Sequence, residues 1–284
     1  MSQIVLVVGM HRSGTTALAE VLVQAGAWFG DAALAAGGRP RPLGLLERTD
    51  FLSLTEPALK AVGCRWHDVV DFQPSWNETY VQSVRQAFAS SVLADLMAHP
   101  VSVLKDPRLC FLLPLFLTVL PKTTVAVMIV RDPLEVAMSL ALRNGFSISF
   151  GVALWEAYNR QALISLRSVP SIVVSHRRLL REPKTSISDL MRRLAELGAD
   201  GLSAQAAIAR GSIETCLQHH HAQDEQRRGL TRVQRSFWRE LRNAMTPADV
   251  PIGSLSDESR ELLRAHHADP ILPRTRAATE PASQ

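Results

Sequence analysis

The sequence predicts an α/β protein in three layers, with a central, mostly parallel sheet flanked by helices. Three observations predict it. The chain opens on an apolar, β-branched run, a glycine-bounded loop and an amphipathic helix. Short apolar runs then recur at 101–104, 123–130 and 171–175, separated by stretches of helical spacing. Each of the four runs ends in a polar or charged cluster, at 9–13, 105–108, 131–132 and 176–178. In an open parallel sheet such strand ends converge on one crevice, at the topological switch point.

Composition narrows the class. A chain of 284 residues with 46% hydrophobic and 20% charged residues is globular and can bury a substantial core. Its 31 Lys and Arg against 27 Asp and Glu leave a net charge of +4, which suits an anionic ligand but does not indicate nucleic-acid binding. Cys64, Cys110 and Cys216 show no C-x-x-C spacing and make an odd set, so they read as free thiols in a reducing compartment. No segment approaches the roughly 20 apolar residues of a membrane span, and the first apolar run is too short for a signal peptide. The expectation is a cytoplasmic protein without stable membrane insertion. With no internal repeat and no linker, residues 1–272 are expected to form one domain, mainly helical from about 186, with a disordered tail at 273–284.

Taken in order, residues 4–8 read as a buried strand, 9–14 as a tight loop, and 15 onward as a helix with Leu18, Leu22 and Ala25 on one face. Residues 26–45 are rich in Gly, Ala and Pro and read as a long loop with a short helix at 31–36. A helix is expected through Leu54. The segment 66–76 holds Trp66, His67, Phe72 and Trp76, and reads either as a sugar-stacking surface or as rim packing. Helical spacing over 80–98 ends before Pro100. After the strand at 101–104, an apolar helix is expected at 111–120, with Pro114 limiting its start. The run 123–130 is continuous enough for the centre of a parallel sheet. Asp132 and Pro133 then form an N-cap and first helical residue for a helix over 133–143. Helices follow at 150–166, 188–197, 204–209, 232–245 and 256–267, interrupted by the strand at 171–175.

The opening loop carries the chemistry. Gly9-x-x-x-x-Gly14 followed by Thr15 and Thr16 nearly matches the nucleoside-triphosphate loop G-x-x-x-x-G-K-[ST], so the fold is expected to be P-loop-like. The lysine is missing. Thr15 stands in its place, and Arg12 supplies a cation inside the loop instead. Backbone N–H groups at such a helix N-terminus hold an anionic phosphate group. Further along, Ser139 follows Asp132 by seven residues, about two turns at 3.6 residues per turn, so Arg131 and Ser139 can converge on a second anion.

The run Gly-Met-His-Arg-Ser-Gly-Thr-Thr resembles the 5′-phosphosulfate loop of sulfotransferases that use 3′-phosphoadenosine 5′-phosphosulfate (PAPS), particularly bacterial carbohydrate-directed members. Many members carry lysine where Arg12 stands. The Arg131 and Ser139 pair is similar to the 3′-phosphate site of the same family. The resemblance covers residues 4–180 and implies transfer of a sulfuryl group from PAPS to an acceptor hydroxyl, on a carbohydrate or glycoconjugate, with no metal required. It implies that Arg12, Ser13, Gly14, Thr15 and Thr16 hold the 5′-phosphosulfate and that Arg131 and Ser139 hold the 3′-phosphate. Arg12 and Lys105 would stabilise the charge that develops during transfer. Glu47, in a Gly-x-x-Glu stretch like that of family members, would be the base, with His67 and His176 as rivals.

Other readings stay open. A P-loop kinase or NTPase would need an Asp at a strand end, which Asp132 offers, and a nucleotide-binding protein without turnover would share the same cradle. Glu47 also reads as a solvated helix-start carboxylate. A serine hydrolase is disfavoured, because His11 stands where G-x-S-x-G has its first glycine. Neighbouring histidines at 219–221 cannot all face one ion, so no metal site is read there. Arg227 and Arg228 read as a solvated loop, with closure over the nucleotide as the alternative.

Overall fold

The computed structural model describes residues 2–30, 47–70, 72–210 and 229–269. The expected short helix at 31–36, Cys216, the histidines at 219–221, Arg227, Arg228 and the tail at 273–284 lie outside the described residues.

Among the described residues four strands form one parallel sheet: β1 (Gln3–Val8), β2 (Val101–Lys105), β3 (Val125–Val130) and β4 (Ser171–Ser175), in the order β2-β1-β3-β4. Val5 stands opposite Val103 on one side and Val125 on the other, and Met128 opposite Val173. The chain leaves β1 for β2 at one edge, then crosses back to β3 on the far side of β1. The switch point therefore lies between the carboxyl ends of β1 and β3.

Strand alternation divides the core in two. Val5, Val7, Val127 and Ile129 pack with α1 (Thr15–Gln24), α8 (His176–Arg181), α9 (Pro183–Glu196) and α10 (Ala204–Ala209). Ile4, Leu6, Val8 and Met128 face the opposite layer. That layer contains α2 (Thr49–Ala61), α3 (Glu78–Phe88), α4 (Ala94–Met97), α5 (Leu109–Phe116), α6 (Pro133–Asn144), α7 (Ile148–Ser165), α11 (Arg232–Asn243) and α12 (Asp257–Ala268). The expected layered α/β architecture is thus present. A single turn of π-helix, Ala89–Leu93, joins α3 to α4.

Several helices start or run differently from expectation: α8 was not expected, α9 begins at Pro183 ahead of residue 188, and α11 ends at Asn243 short of 245. α2 continues past Leu54 to Ala61. α5 begins at Leu109, ahead of Phe111, and holds Pro114 in its interior. Proline removes the amide that would bond to the Cys110 carbonyl, but Ser165 of α7 donates its hydroxyl to that oxygen at 2.8 Å. A side chain on another helix thus repairs the broken ladder. Asp132 caps α6 as expected, accepting from Leu134 N at 3.0 Å, and Gly145 ends it at φ 77°.

The last helix, α12, docks on α7 through a buried carboxylate. Glu156 is fully buried and accepts hydrogen bonds from Arg160, the backbone N–H and hydroxyl of Ser256, and the Ser259 hydroxyl. Four donors to one carboxylate make burial of its charge tolerable, and they hold its protonation below the usual range against the opposing effect of burial. Among the described residues no single helix is long and apolar enough to cross a membrane.

Candidate active site

The first wall is the loop between β1 and α1. Gly9 is required by close approach, since a Cβ there would lie 2.7 Å from the Ile129 carbonyl oxygen of β3. Gly14 adopts φ 91°, and a Cβ on it would meet the His176 ring at 2.2 Å. Between them Arg12 takes φ 68°, the left-handed region that L-residues with a Cβ avoid. Ser13 donates its backbone N–H to Met10 O at 3.1 Å, while its hydroxyl is buried with no hydrogen-bond partner. The Thr15 methyl packs against Gly9, so this threonine fills the loop interior, while Thr16 is half-buried. Helix geometry leaves the first-turn N–H groups of α1 without intrahelical acceptors.

The end of β3 meets this loop directly. Arg131 donates from a terminal guanidinium nitrogen to Arg12 O at 3.1 Å and from Nε to Glu135 at 3.0 Å. Arg12 in turn donates from Nε to the Ser139 hydroxyl at 2.8 Å. Trp155 fixes the backbone at this point by donating its indole N–H to Arg131 O at 3.0 Å. The predicted pair of loop and strand-end cation is therefore one connected cluster at the switch point.

A second cluster forms at the end of β2. Lys105, 2% exposed, lies 3.0 Å from Glu47, and Arg108 lies 3.9 Å from the other oxygen of the same carboxylate. Arg108 also pairs with Asp106 at 3.1 Å and Glu56 at 2.7 Å, while Thr55 donates to Asp106 at 2.8 Å. Burial pushes the Asp106 carboxyl above its usual range, against the opposing pull of Arg108. Glu47 and Lys105, 58 residues apart, thus come together.

The two rival histidines have other surroundings. His176, at the start of α8, is buried over Gly14, and burial followed by the charge of Arg131 pushes it down to about 3. His67 is turned toward α12, its Nδ1 3.0 Å from His266 Nε2, and burial followed by the neighbouring His266 lowers it to about 4. Asp68 and His267 stand beside that pair at 2.9 Å. Of the aromatics, Phe72 packs on Phe111 and Trp76 donates to Ala58 O, so both serve the core. Trp66 alone of the three reaches the loop, with its ring 4.7 Å from that of His11.

Sequence reasoning passed over several residues of this region. His11 entered only as the residue that disfavours a serine hydrolase, yet Arg108 and Lys105 of one cluster and Arg12 of the other all act on its ring. Arg143 is one turn beyond Ser139 on α6, a spacing that could have marked it. Arg48, 1% exposed, pairs with Asp50 and Asp95 and donates to Phe29 O, anchoring the start of α2 and with it the neighbouring Glu47. Among the described residues no group of three or more His, Cys, Asp or Glu is placed to hold a metal ion.

Fold and site describe a parallel α/β protein with a glycine-bounded loop and a strand-end arginine meeting at its switch point. The comparison with known families makes this specific. Residues 4–197 match the model of the sulfotransferase family, and the chain belongs to that family and is a transferase. No curated protein matches the chain. Two solved structures are similar over most of their length. A sulfotransferase domain from the Synechococcus PCC 7002 olefin synthase is 18% identical, with 93% of this chain and 94% of that one covered at a TM-score of 0.42. A sulfotransferase domain from the curacin biosynthetic pathway is 12% identical, with 93% and 97% covered at a TM-score of 0.44.

Proposed function

We propose that this sulfotransferase moves a sulfuryl group from PAPS to an acceptor hydroxyl on a carbohydrate or glycoconjugate. One observation carries the donor assignment: Arg131 bonds to Arg12 O while Arg12 reaches Ser139, so two cations and a hydroxyl converge where one doubly anionic nucleotide would lie. The buried, unbonded Ser13 hydroxyl fits the same ligand, because an orphaned polar group beside a helix N-terminus is complementary to an anion.

PAPS, when bound, supplies an activated sulfuryl group and a bisphosphate leaving group. Arg12, Ser13, Gly14, Thr15 and Thr16 hold its 5′ end through first-turn N–H groups, hydroxyls and the loop guanidinium. Thr15 serves mainly through its N–H, since its methyl is turned into the loop. Arg131 and Ser139 hold the 3′-phosphate. Lys105 and Arg12 stabilise negative charge that grows on the transferring group. Glu47 accepts the acceptor's proton, and its contact with Lys105 fixes its direction. Trp66 offers an aromatic wall for a sugar ring. The absence of lysine after Gly14 separates this loop from that of a kinase.

The experiment is calorimetric titration with adenosine 3′,5′-bisphosphate in the presence of EDTA. Binding that Arg131→Ala weakens by roughly 10²-fold is the expected result. Binding of ATP with magnesium in place of the bisphosphate would replace this reading with a kinase or NTPase. Bisphosphate binding without sulfation of any member of a broad acceptor panel would favour a nucleotide-binding protein without turnover.

A further inference from the structure

One polar group between the two clusters has no task in that reaction. His11 belongs to the loop itself, and its Nε2 is buried without a hydrogen-bond partner. Its ring is held between Trp66, at 4.7 Å, and Tyr158, at 5.6 Å and nearly edge-on. Tyr158 donates its hydroxyl to Trp66 O at 2.6 Å, so α7 fixes this aromatic clamp. Buried polar atoms without partners are uncommon in folded chains, and a catalytic role is one of the explanations such an atom calls for. Arg108, Lys105, Arg143 and Arg12 face the ring electrostatically, while Glu47 faces two of these cations, Lys105 and Arg108.

We propose that His11 is a further catalytic residue, a neutral imidazole whose Nε2–H donates a hydrogen bond to the transferring sulfuryl group. The inference rests on the donor reading above. Burial first, and then the four cations, hold His11 protonation well below the ordinary histidine range, so the ring stays neutral. It keeps its one proton throughout and transfers none. A directed, neutral donor differs in effect from another cation. Net positive charge holds donor and bisphosphate product alike, whereas a hydrogen bond to sulfuryl oxygens is lost once the sulfuryl group has left. His11 therefore favours the loaded nucleotide over the spent one.

Two measurements test this on the full chain. In calorimetry, His11→Phe is expected to weaken PAPS binding about tenfold while bisphosphate binding stays within twofold of wild type; His11→Gln, which restores a neutral N–H donor, recovers most of the loss. Equal weakening of both nucleotides by His11→Phe, or no recovery in His11→Gln, would overturn the role. In nitrogen NMR of labelled histidine, assigned by loss of the signal in His11→Gln, the ring is expected to remain neutral from pH 5.5 to 8.5 and to shift with PAPS but not with bisphosphate. An imidazolium signature, or the same response to both nucleotides, would defeat the proposal. If the wild-type chain binds neither nucleotide, the donor reading itself fails and His11 falls with it; binding of both with equal His11 responses removes His11 alone.

Discussion

The two clusters at the sheet's carboxyl edge use the same cations with different partners. At the end of β2, three carboxylates, Glu47, Glu56 and Asp106, converge on Lys105 and Arg108. At the end of β3, Arg131 pairs with Glu135 but also donates to a backbone carbonyl, and exposed Arg12 gives its Nε to a neutral hydroxyl. Each β2 cation is thus held by carboxylates, Asp106 buried, Glu47 mostly so and Glu56 exposed. A guanidinium that also gives N–H groups to carbonyls and hydroxyls has its direction set by neutral partners as well as by charge. The difference teaches that positive charge at a strand end does not by itself define a phosphate site; under the proposed function, the partners of that charge decide its use.

The strongest challenge to this contrast is Lys105→Ala. Breaking a buried pair leaves Glu47 without its nearest cation, and the unfolding free energy in urea should fall by about 3–5 kcal/mol. A loss below about 1 kcal/mol would mean that water already screens the pair, and the contrast would dissolve. Arg131→Ala should instead act on the ligand, weakening bisphosphate binding roughly 10²-fold by calorimetry, with a smaller loss of stability than Lys105→Ala. Glu47→Gln sharpens the comparison from the other side: turnover should drop by about 10²-fold with bisphosphate affinity kept. Unchanged turnover would take the base away from the β2 cluster.

Acid probes both neighbourhoods together. His176 beside the loop is lowered to about 3 and His67 behind Trp66 to about 4, from an ordinary 6.5. Between those values and 6.5 the unfolded chain binds protons that the folded chain refuses. Stability therefore falls as pH drops below about 6.5, by about 2 kcal/mol per histidine at pH 5. Urea unfolding at pH 7.5 and pH 5 measures it, and equal midpoints would show that neither ring is buried neutral. The smallest effect belongs to Ser139→Ala, which removes one hydrogen bond from Arg12; bisphosphate should bind about fivefold weaker, near 1 kcal/mol.

Local patterns made the loop side readable. Gly9 and Gly14 bracket a strand-to-helix turn, and Arg131, Asp132 and Ser139 announce a strand end, a cap and a helical face within nine residues. Those signals depend on neighbours in the chain, so periodicity and capping chemistry suffice. The β2 cluster depends on contacts across the fold. Glu47 was singled out as a base, but nothing local tied it to Lys105, 58 positions away. His67 shows the same limit: its partner, His266, is 199 residues off. Pro114 misled for a related reason, because the hydroxyl that completes its helix comes from Ser165. His11 escaped because a spacing rule assigns no role to the residues between its glycines.

The left-handed backbone at Arg12, φ 68°, has one more consequence. A glycine there would relieve strain of about 1 kcal/mol, so the sturdiest loop this fold can build is one that lacks its guanidinium. Selection for heat resistance alone would drive this position toward glycine and leave the cradle chemically blank. Thermal endurance and ligand capture thus compete for a single residue, the trade-off expected where binding geometry is held against local backbone preference.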